Sequence, residues 1–300
     1  MRSFAQIKNN YMSLLYSSLF KLIDPDIISH SPKSKTYRLL KNLLNFVISF
    51  KKKSSNNYKN YSINPSINNI KLKKYSFSAF KTEDLMNLEE LIMIKYYFNN
   101  KKFYSNFLDL GASIGIHTVI ASKIGFNVES YEPDKKHYKQ LLLNCRVNKV
   151  KNVKSYEKAV YKKKCKLTFV NVKNNTTSNH VLGFKKKLYG PISRTKVDAV
   201  KADNLFKRSD LVKMDIEGAE YEVLKSICKK NWNSTDCFVS VHNDYVAKKI
   251  FNHFKKIKIN MFSSKINWQK IKKFDDLPTC HAEGLLFISK KNKMNWKYFN

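Results

Sequence analysis

The chain has 300 residues, of which 43% are hydrophobic, and its 57 Lys and Arg against 23 Asp and Glu give a formal net charge of +34. This apolar content excludes a wholly disordered protein, and the length fits one large α/β domain or one domain with an appendage. Five cysteines without a Cys-x-x-Cys pair argue against a zinc ribbon or a disulfide scaffold, and favour a reducing, cytoplasmic compartment.

The positive charge is carried almost entirely by lysine, since only five of the basic residues are Arg. Proteins that read nucleic acids specifically rely on the planar fork of Arg, so a nucleic-acid partner is not favoured. Abundant Lys, Asn and Ile together indicate a drift toward A/T-rich codons. A positive field that attracts anionic lipids or an anionic substrate remains open. No stretch reaches the about 18 apolar residues of a membrane span, and no signal peptide is predicted.

Residues 1–75 are predicted to be an N-terminal helical appendage with a linker. Leucines at helical spacing between Tyr37 and Phe50 predict a helix, and the Ser- and Asn-rich residues 54–69 predict the linker. The helix has two interpretations: it packs on the main domain, or residues 1–53 contact a membrane surface. The second would place a cytoplasmic protein peripherally at the inner membrane surface.

Residues 76–300 are predicted to form the main domain. It begins with a helix at 82–99, with Thr82 as its N-cap. Short apolar strands and amphipathic helices then alternate, which predicts an α/β fold whose mostly parallel sheet has helices on both faces. The predicted strands are 107–110, 128–131, 153–156, 167–172, 211–214, 238–241, 257–259 and 285–288, and the helices are 116–123, 135–147, 221–230 and 246–254.

A glycine-containing loop joins the first of these strands to the next helix, in the run Asp109-Leu110-Gly111-Ala112-Ser113-Ile114-Gly115. Its glycines are expected to let the backbone approach a nucleotide-like ligand, and Asp109 can accept hydrogen bonds from an amino group. Glu132 follows Gly111 by twenty-one residues, a spacing that suits a carboxylate binding two ribose hydroxyls. Because the loop lacks the G-x-G-x-x-G spacing, S-adenosylmethionine is favoured over a dinucleotide. A tight turn without a ligand is the alternative.

A second group of polar residues follows the strand at 211–214. Asp215 and Glu217 stand where the carboxyl ends of parallel strands open a crevice, although acids also occur at helix N-termini for structural reasons alone. His242, after another strand, is either a general base or a structural residue. Cysteines 228, 237 and 280 with His281 have irregular spacing, and no metal site is predicted.

These motifs, with Tyr131-Glu132-Pro133 and Lys213-Met-Asp-Ile-Glu-Gly-Ala-Glu-Tyr-Glu-Val-Leu, resemble the FkbM family of S-adenosylmethionine-dependent methyltransferases over about residues 83–245. The resemblance implies a class I (Rossmann-like) fold with a seven-stranded sheet whose last strand is antiparallel, and O-methylation of a glycan or small-molecule hydroxyl. It implies cofactor contacts from Asp109, Gly111, Ala112, Ser113, Gly115, Glu132, Glu157 and Asp215, with Glu157 at the adenine amino group. The expected catalytic residues are Asp215, Glu217 and His242.

Two departures from the family pattern bear on activity. Ser113 stands where the family commonly has Asn, and the Glu that commonly precedes the His at 242 is missing. The acceptor and the oligomeric state stay open. Alternatives are an inactive methyltransferase scaffold that binds a membrane surface or nucleic acid, and an RNA methyltransferase. The scarcity of Arg disfavours RNA, which is recognised through stacking on aromatic and Arg side chains.

Overall fold

The computed structural model describes residues 15, 17–52, 58–61, 70–73, 82–173, 175–185 and 190–296, and shows an α/β fold. The helices with described ends are α1 (Lys35–Lys52), α2 (Leu88–Asn100), α3 (Ile116–Ile124), α4 (Lys135–Val147), α5 (Ala202–Phe206), α6 (Glu220–Leu224) and α7 (Asp244–Ile257). The strands are β1 (Tyr58–Tyr61), β2 (Ile70–Lys73), β3 (Asn106–Leu110), β4 (Asn127–Tyr131), β5 (Val153–Tyr156), β6 (Ala159–Tyr161), β7 (Cys165–Val172), β8 (His180–Val181), β9 (Ile192–Lys201), β10 (Leu211–Met214), β11 (Asp236–Val239), β12 (Asn260–Ser263), β13 (Gln269–Lys270) and β14 (Leu286–Ser289).

The main sheet is mixed and has the strand order β13-β12-β14-β11-β10-β3-β4-β5. Strands β5, β4, β3, β10 and β11 pair in parallel, whereas the last strand, β14, runs antiparallel between β11 and β12. The sheet has eight strands instead of the predicted seven because the two-residue β13 adds an edge to β12. The order reverses between β3 and β10, so a crevice is expected at the carboxyl ends of these two strands.

Alternating side chains of the sheet enter two hydrophobic cores. Phe107 of β3 lies in the core that α1, α2 and α3 cover, whereas its neighbour Leu108 lies in the core that α5, α6 and α7 cover. A strand buried on both faces requires apolar residues at successive positions, which explains the continuous apolar runs in the sequence. Helices on both faces of the sheet are therefore confirmed.

The described N-terminal residues pack into the main core. Leu40 and Leu44 of α1 belong to the same cluster as Phe107, and the Nζ atom of Lys41 lies 2.9 Å from an Oε1 atom of Glu89. Of the two interpretations of α1, packing on the main domain is confirmed. These contacts join residues on the two sides of the predicted division at residue 75, which stays a prediction.

Strand β2 is also tied to the main domain. The backbone N–H groups of Lys71 and Lys73 donate to the side-chain oxygens of Asn148 and Asn144, at 2.9 Å each. Most of the predicted linker at 54–69 lies outside the described residues. Its described part, β1, pairs antiparallel with β2.

Two helix boundaries differ from the predictions. The helix expected from Thr82 begins at Leu88, because the Asn87 side chain accepts the N–H of Glu90 at 3.1 Å and caps it; residues 82–85 form a short 3-10 turn. The helix expected to reach residue 230 ends at Leu224.

A strand prediction near the C-terminus was also misplaced. The strand predicted at 257–259 is wrong, since α7 continues to Ile257 and Lys258 adopts a left-handed conformation before β12 begins.

A four-stranded sheet of order β6-β9-β7-β8 is inserted between β5 and β10. The extra strand predicted at 167–172 is confirmed as part of β7. Its main partner β9 was missed because most of its side chains are exposed, so it lacks the alternation of polar and apolar residues. Among all these described elements, no helix combines the length and apolarity that crossing a membrane requires.

Candidate active site

The loop after β3 is fastened to the end of β4. The backbone N–H groups of Gly111 and Ala112 both donate to the carbonyl oxygen of Tyr131 at 3.0 Å. Gly111, Ser113 and Gly115 have φ angles of 74°, 49° and 83°. The loop therefore turns through three left-handed residues, two of which are glycine, for which this conformation carries no Cβ penalty.

Protein contacts alone already require both glycines. A Cβ atom on Gly111 would lie 1.8 Å from the carbonyl oxygen of Asp215, and one on Gly115 would lie 2.8 Å from Cγ of Leu141. The close backbone approach that the glycines indicate is present between parts of the protein, and the approach of a nucleotide-like ligand stays a prediction. In the structure, Gly111 admits the loop after β10 and Gly115 admits helix α4.

Glu132, just past β4, is oriented by two backbone donors. Its Oε2 accepts the N–H of Ser113 at 2.7 Å, and its Oε1 accepts the N–H of Asp134 at 2.8 Å. Burial raises the pKa of Glu132 to about 8, although both N–H donors act in the opposite direction. Each carboxylate oxygen keeps a second lone pair with which it can accept a further hydrogen bond.

Asp109 lies beneath the loop and is fully buried. Its Oδ2 accepts the hydroxyl of Thr118 at 2.7 Å, and its Oδ1 lies 3.6 Å from Nζ of Lys213. Lys213 also donates to the carbonyl oxygen of Gly111 at 2.9 Å. Burial acts to lower the pKa of Lys213, but the carboxylates of Asp109 and Asp215 outweigh it and raise the pKa. Lys213 thus neutralises Asp109, a role that its place in the motif did not reveal.

The loop after β10 carries Asp215 and Glu217. Glu217 has a φ angle of 58°, and its carboxylate forms an ion pair with Lys185. The buried Glu220 holds the loop by accepting the N–H groups of Ile216 at 3.3 Å and Gly218 at 3.0 Å. The predicted pair of carboxylates is therefore held in place by a third one that the sequence analysis did not single out.

His242 is surrounded by these carboxylates. Its Nε2 lies 3.2 Å from Oδ1 of Asp215 and 3.4 Å from Oε2 of Glu217, and its Nδ1 lies 3.0 Å from Oε1 of Glu220. Burial acts to lower the pKa of His242, but Glu217 and Glu220 outweigh it and raise the pKa well above its usual value. A protonated ring has no lone pair to accept a proton, so the structure argues against the general-base role predicted for His242.

The charge cluster includes a residue from a distant part of the chain. Nε2 of His281, in the segment before β14, lies 3.8 Å from Oδ2 of Asp215, and its ring meets that of His242 edge-on at 5.2 Å. Burial acts to raise the pKa of Asp215, but the ion pair with His242 outweighs it, and the pKa is lowered. Among the described residues no cysteine joins this group.

These loops border one cavity, whose empty volume with its open mouth is about 1010 Å³. Its walls come from the loop after β3 and the loop after β10, the two segments in which the sequence predicts the site. Asp109, Gly115, Glu157 and His242 are not part of its lining, and Glu157 is exposed to solvent. The assignment of Glu157 to an adenine amino group is therefore not supported by its position. The predicted residues that do line the cavity are Gly111, Ala112, Ser113, Glu132, Asp215 and Glu217.

The inserted four-stranded sheet closes one side of the cavity. Asp134 caps α4 by accepting the N–H groups of Lys136 and His137 at 2.8 Å, and its other oxygen accepts the side chain of Asn179 at 2.9 Å. Thr176 and Asn179 line the cavity with His137. The sequence analysis missed these residues because no local pattern links residue 134 to residue 179.

Comparison of the fold with solved structures finds methyltransferases at low identity. A precorrin-6Y C5,15-methyltransferase from Geobacter metallireducens has a TM-score of 0.40 and 9% identity, over 69% of this chain and 91% of that one. An rRNA methylase from Streptococcus thermophilus has a TM-score of 0.39 and 7% identity, over 70% and 99% of the chains. At these scores the likeness supports no inference about this chain.

A third such structure is a putative methyltransferase from Streptococcus mutans in complex with SAH, with a TM-score of 0.37 and 11% identity over 66% and 96% of the chains. A comparison with curated proteins finds no match. The sequence profile of the methyltransferase FkbM domain, by contrast, matches residues 109–265, which is more than half of the chain and spans both cavity loops. The protein therefore belongs to the FkbM methyltransferase family.

Proposed function

We propose that the protein methylates a hydroxyl group of a glycan or small-molecule acceptor, with S-adenosylmethionine as the methyl donor. The observation that carries the proposal is the cavity itself: it has the carboxylate of Glu132 beside the glycine loop, and the carboxylates of Asp215 and Glu217 on the loop after β10. Carboxylates on both sides suit a ligand with ribose hydroxyls, an amino group and a positively charged sulfur.

The residues of the cavity fit this cofactor. Glu132 is fixed by two N–H donors and keeps lone pairs for the ribose hydroxyls, and the carboxylate of Asp215 lines the cavity, where it can accept from an amino group. When bound, the cofactor supplies a methyl group on a sulfonium sulfur. The residues of this chain bind it, align the acceptor and receive the proton of the hydroxyl.

Glu217 is the best-placed group to receive that proton. It lines the cavity, whereas His242 lies behind it and outside the lining. The neighbouring cations, Lys185 and His242, favour the ionised form: burial acts to raise the pKa of Glu217, but His242 outweighs it, and the pKa is lowered. We assign the base to Glu217, and assign His242 to holding Asp215 and Glu217 in position.

Isothermal titration calorimetry with S-adenosylhomocysteine and with NADH tests the choice of cofactor. We expect binding of S-adenosylhomocysteine alone, and weaker binding by Glu132→Ala, by about 1–3 kcal/mol for the two lost hydrogen bonds. Binding of NADH without S-adenosylhomocysteine would refute the proposal. A screen of sugars and small hydroxyl compounds with a labelled methyl donor then identifies the acceptor.

A peripheral contact with an anionic membrane is a second proposal, and it concerns location. Leu39, Leu43 and Phe46 lie along one side of α1 with 63%, 46% and 59% of their surface exposed, although the opposite side is buried. Their spacing forms one apolar row on a chain with a large positive charge.

Sedimentation with phosphatidylserine vesicles tests this contact. Leu43→Glu should reduce binding, whereas Leu142→Glu, a change at a similarly exposed leucine of α4, should not. Equal binding by both variants would show that α1 is not the contact surface.

A further inference from the structure

Three potential metal ligands converge from separate parts of the chain. Asp215 follows β10, His242 lies beyond β11, and His281 precedes β14, yet their ligand atoms all lie within 4.8 Å of one another. The closest approaches are 3.2 Å from Oδ1 of Asp215 to Nε2 of His242 and 3.8 Å from Oδ2 of Asp215 to Nε2 of His281. Ligand atoms at about 2.0–2.2 Å from a tetrahedral ion lie about 3.3–3.6 Å apart, so small side-chain rotations would bring one oxygen of Asp215 and the two imidazoles around a single ion.

Two of the three ligand atoms are buried without an aligned hydrogen bond. Nε2 of His242 and Oδ1 of Asp215 face each other at 3.2 Å, an ion-pair distance, but neither makes a hydrogen bond. The His242 side chain is only 7% exposed. Because buried polar atoms are normally satisfied by hydrogen bonds, both atoms are available to a shared partner on one side of the pair.

The other nitrogen of His242 faces a carboxylate at ion-pair distance, without the alignment of a hydrogen bond. Its Nδ1 lies 3.0 Å from Oε1 of Glu220, a fully buried carboxylate anchored by the N–H groups of Ile216 and Gly218. A histidine ligand commonly points its second nitrogen at a carboxylate, which fixes the ring and makes the ligand nitrogen more basic. This arrangement directs Nε2 of His242 toward Asp215.

We infer that Asp215, His242 and His281 bind a divalent first-row transition-metal ion, which displaces the proton from Nε2 of His242 into solvent. Two imidazoles with one carboxylate favour ions such as Zn²⁺, Fe²⁺ or Co²⁺ over Mg²⁺ and Ca²⁺, which prefer oxygen ligands only. Three protein ligands leave a coordination position open, as in catalytic rather than structural sites.

The ion would lie beside the cavity, because Asp215 also forms part of the cavity wall. Its open position can take a hydroxyl oxygen of the acceptor and make that hydroxyl easier to deprotonate. Glu217 is close enough to the cluster to receive the proton, with its Oε2 3.4 Å from Nε2 of His242. This consequence for the reaction rests on the proposed methyl transfer, whereas the metal site does not.

Cobalt binding without cofactor or acceptor tests the site. The full-length protein is stripped with a chelator and titrated with Co²⁺, and its visible absorption is recorded. We expect ligand-field bands that saturate at a single ion per chain. His281→Ala should weaken Co²⁺ binding by at least about 10- to 100-fold, since even the loss of a residue that only supports a metal ligand usually costs that much. His281 is half exposed, so its replacement should leave the fold intact.

His253→Ala is the matched control, because the ring of His253 packs against Tyr221 and Phe254 outside the cluster. It should bind Co²⁺ like the wild type. Absence of the bands in the wild type, or equal binding by His281→Ala, would overturn the inference. Since no cofactor is present, this failure would leave the proposed methyl transfer untouched, and failure of cofactor binding would leave the metal result untouched.

Discussion

The position that a Cβ atom would take on Gly111 lies 1.8 Å from the carbonyl oxygen of Asp215, so the two loops of the cavity touch through their backbones. The contact joins the loops after β3 and β10, the neighbouring strands between which the order of the sheet reverses. It sets the distance between the glycine loop and the carboxylates of Asp215 and Glu217. The absence of a side chain at Gly111 therefore sets how closely the two walls of the cavity approach each other.

Gly111→Ala should be distinctly destabilising, and Gly183→Ala isolates the cause. Both glycines have positive φ angles, of 74° and 95°, but nothing lies within 4 Å of a Cβ on Gly183. Gly183→Ala should lower the free energy of unfolding by about 1–2 kcal/mol, the cost of an alanine in the left-handed conformation. Gly111→Ala should cost about 1–3 kcal/mol more, the usual effect of overpacking. Equal urea midpoints for the two variants would contradict this.

Lys213 should be necessary because it neutralises the buried Asp109. Lys213→Met should reduce the free energy of unfolding by about 3–5 kcal/mol, the cost of leaving a buried charge without its partner. Asp109→Asn in the same chain should recover part of this loss. Urea denaturation of both single variants and the double variant gives the coupling energy. Additive effects would mean that the 3.6 Å approach of the two charges does not stabilise the fold.

Two adjacent leucines of α1 distinguish core packing from a removable appendage. Leu44 is 1% exposed and belongs to the main core, whereas Leu43 is 46% exposed. Leu44→Ala should cost about 2–5 kcal/mol because it leaves a cavity in the core. Leu43→Ala should change stability by no more than about 0.5 kcal/mol. Chemical denaturation compares the two, and a similarly small effect for both would favour a removable appendage.

The sequence predicted those features that are encoded in short stretches of chain. The parallel strands and α4 have strong apolar patterns, and Glu132 and Asp215 follow strands whose carboxyl ends meet at one edge of the sheet. Both acids do line the cavity. The exposed strand β9 lacks such a pattern and was missed.

The rest of the site depends on contacts between distant residues. His281 reaches Asp215 only because β14 inserts between β11 and β12 and brings the preceding segment to the same edge. Lys185 reaches Glu217 from the inserted sheet region. Sequence spacing alone had grouped His281 with three cysteines.

Glu132 should make stability fall as pH rises. Its pKa is about 8 in the folded protein, above the 4.5 of an ordinary Glu, so the folded state retains a proton that the unfolded state releases. The free energy of unfolding should therefore decrease between about pH 5 and 8. Glu132→Gln resembles the neutral acid and should remove this dependence. The fall in the free energy of unfolding between pH 5 and pH 8 should shrink by on the order of a few kcal/mol.

Thermal unfolding at pH 5 and pH 8 measures the effect of Glu132→Gln, which should be the more stable protein at pH 8. Glu129→Gln, in the strand β4 that precedes Glu132, is the control. Burial acts to raise the pKa of Glu129, but its hydrogen bonds with Arg208 and Tyr131 lower it, so removing this carboxylate should destabilise the protein at pH 8. If the wild type and Glu132→Gln had parallel pH profiles, the carboxyl of Glu132 would have an ordinary pKa.

Glu217→Gln should slow methyl transfer by about 100- to 10,000-fold, the usual effect of losing a positioned base, on the acceptor that the screen identifies. Glutamine keeps the size of the side chain and cannot take the proton of the hydroxyl. Glu222→Gln is the matched control, because Glu222 pairs with Lys162 and Lys225 and does not line the cavity. Binding of S-adenosylhomocysteine must stay near the wild-type value in both variants, so that the loss reports on the reaction. Normal turnover of Glu217→Gln with a large loss in His242→Gln would move the base to His242, against the raised pKa that its carboxylate neighbours produce.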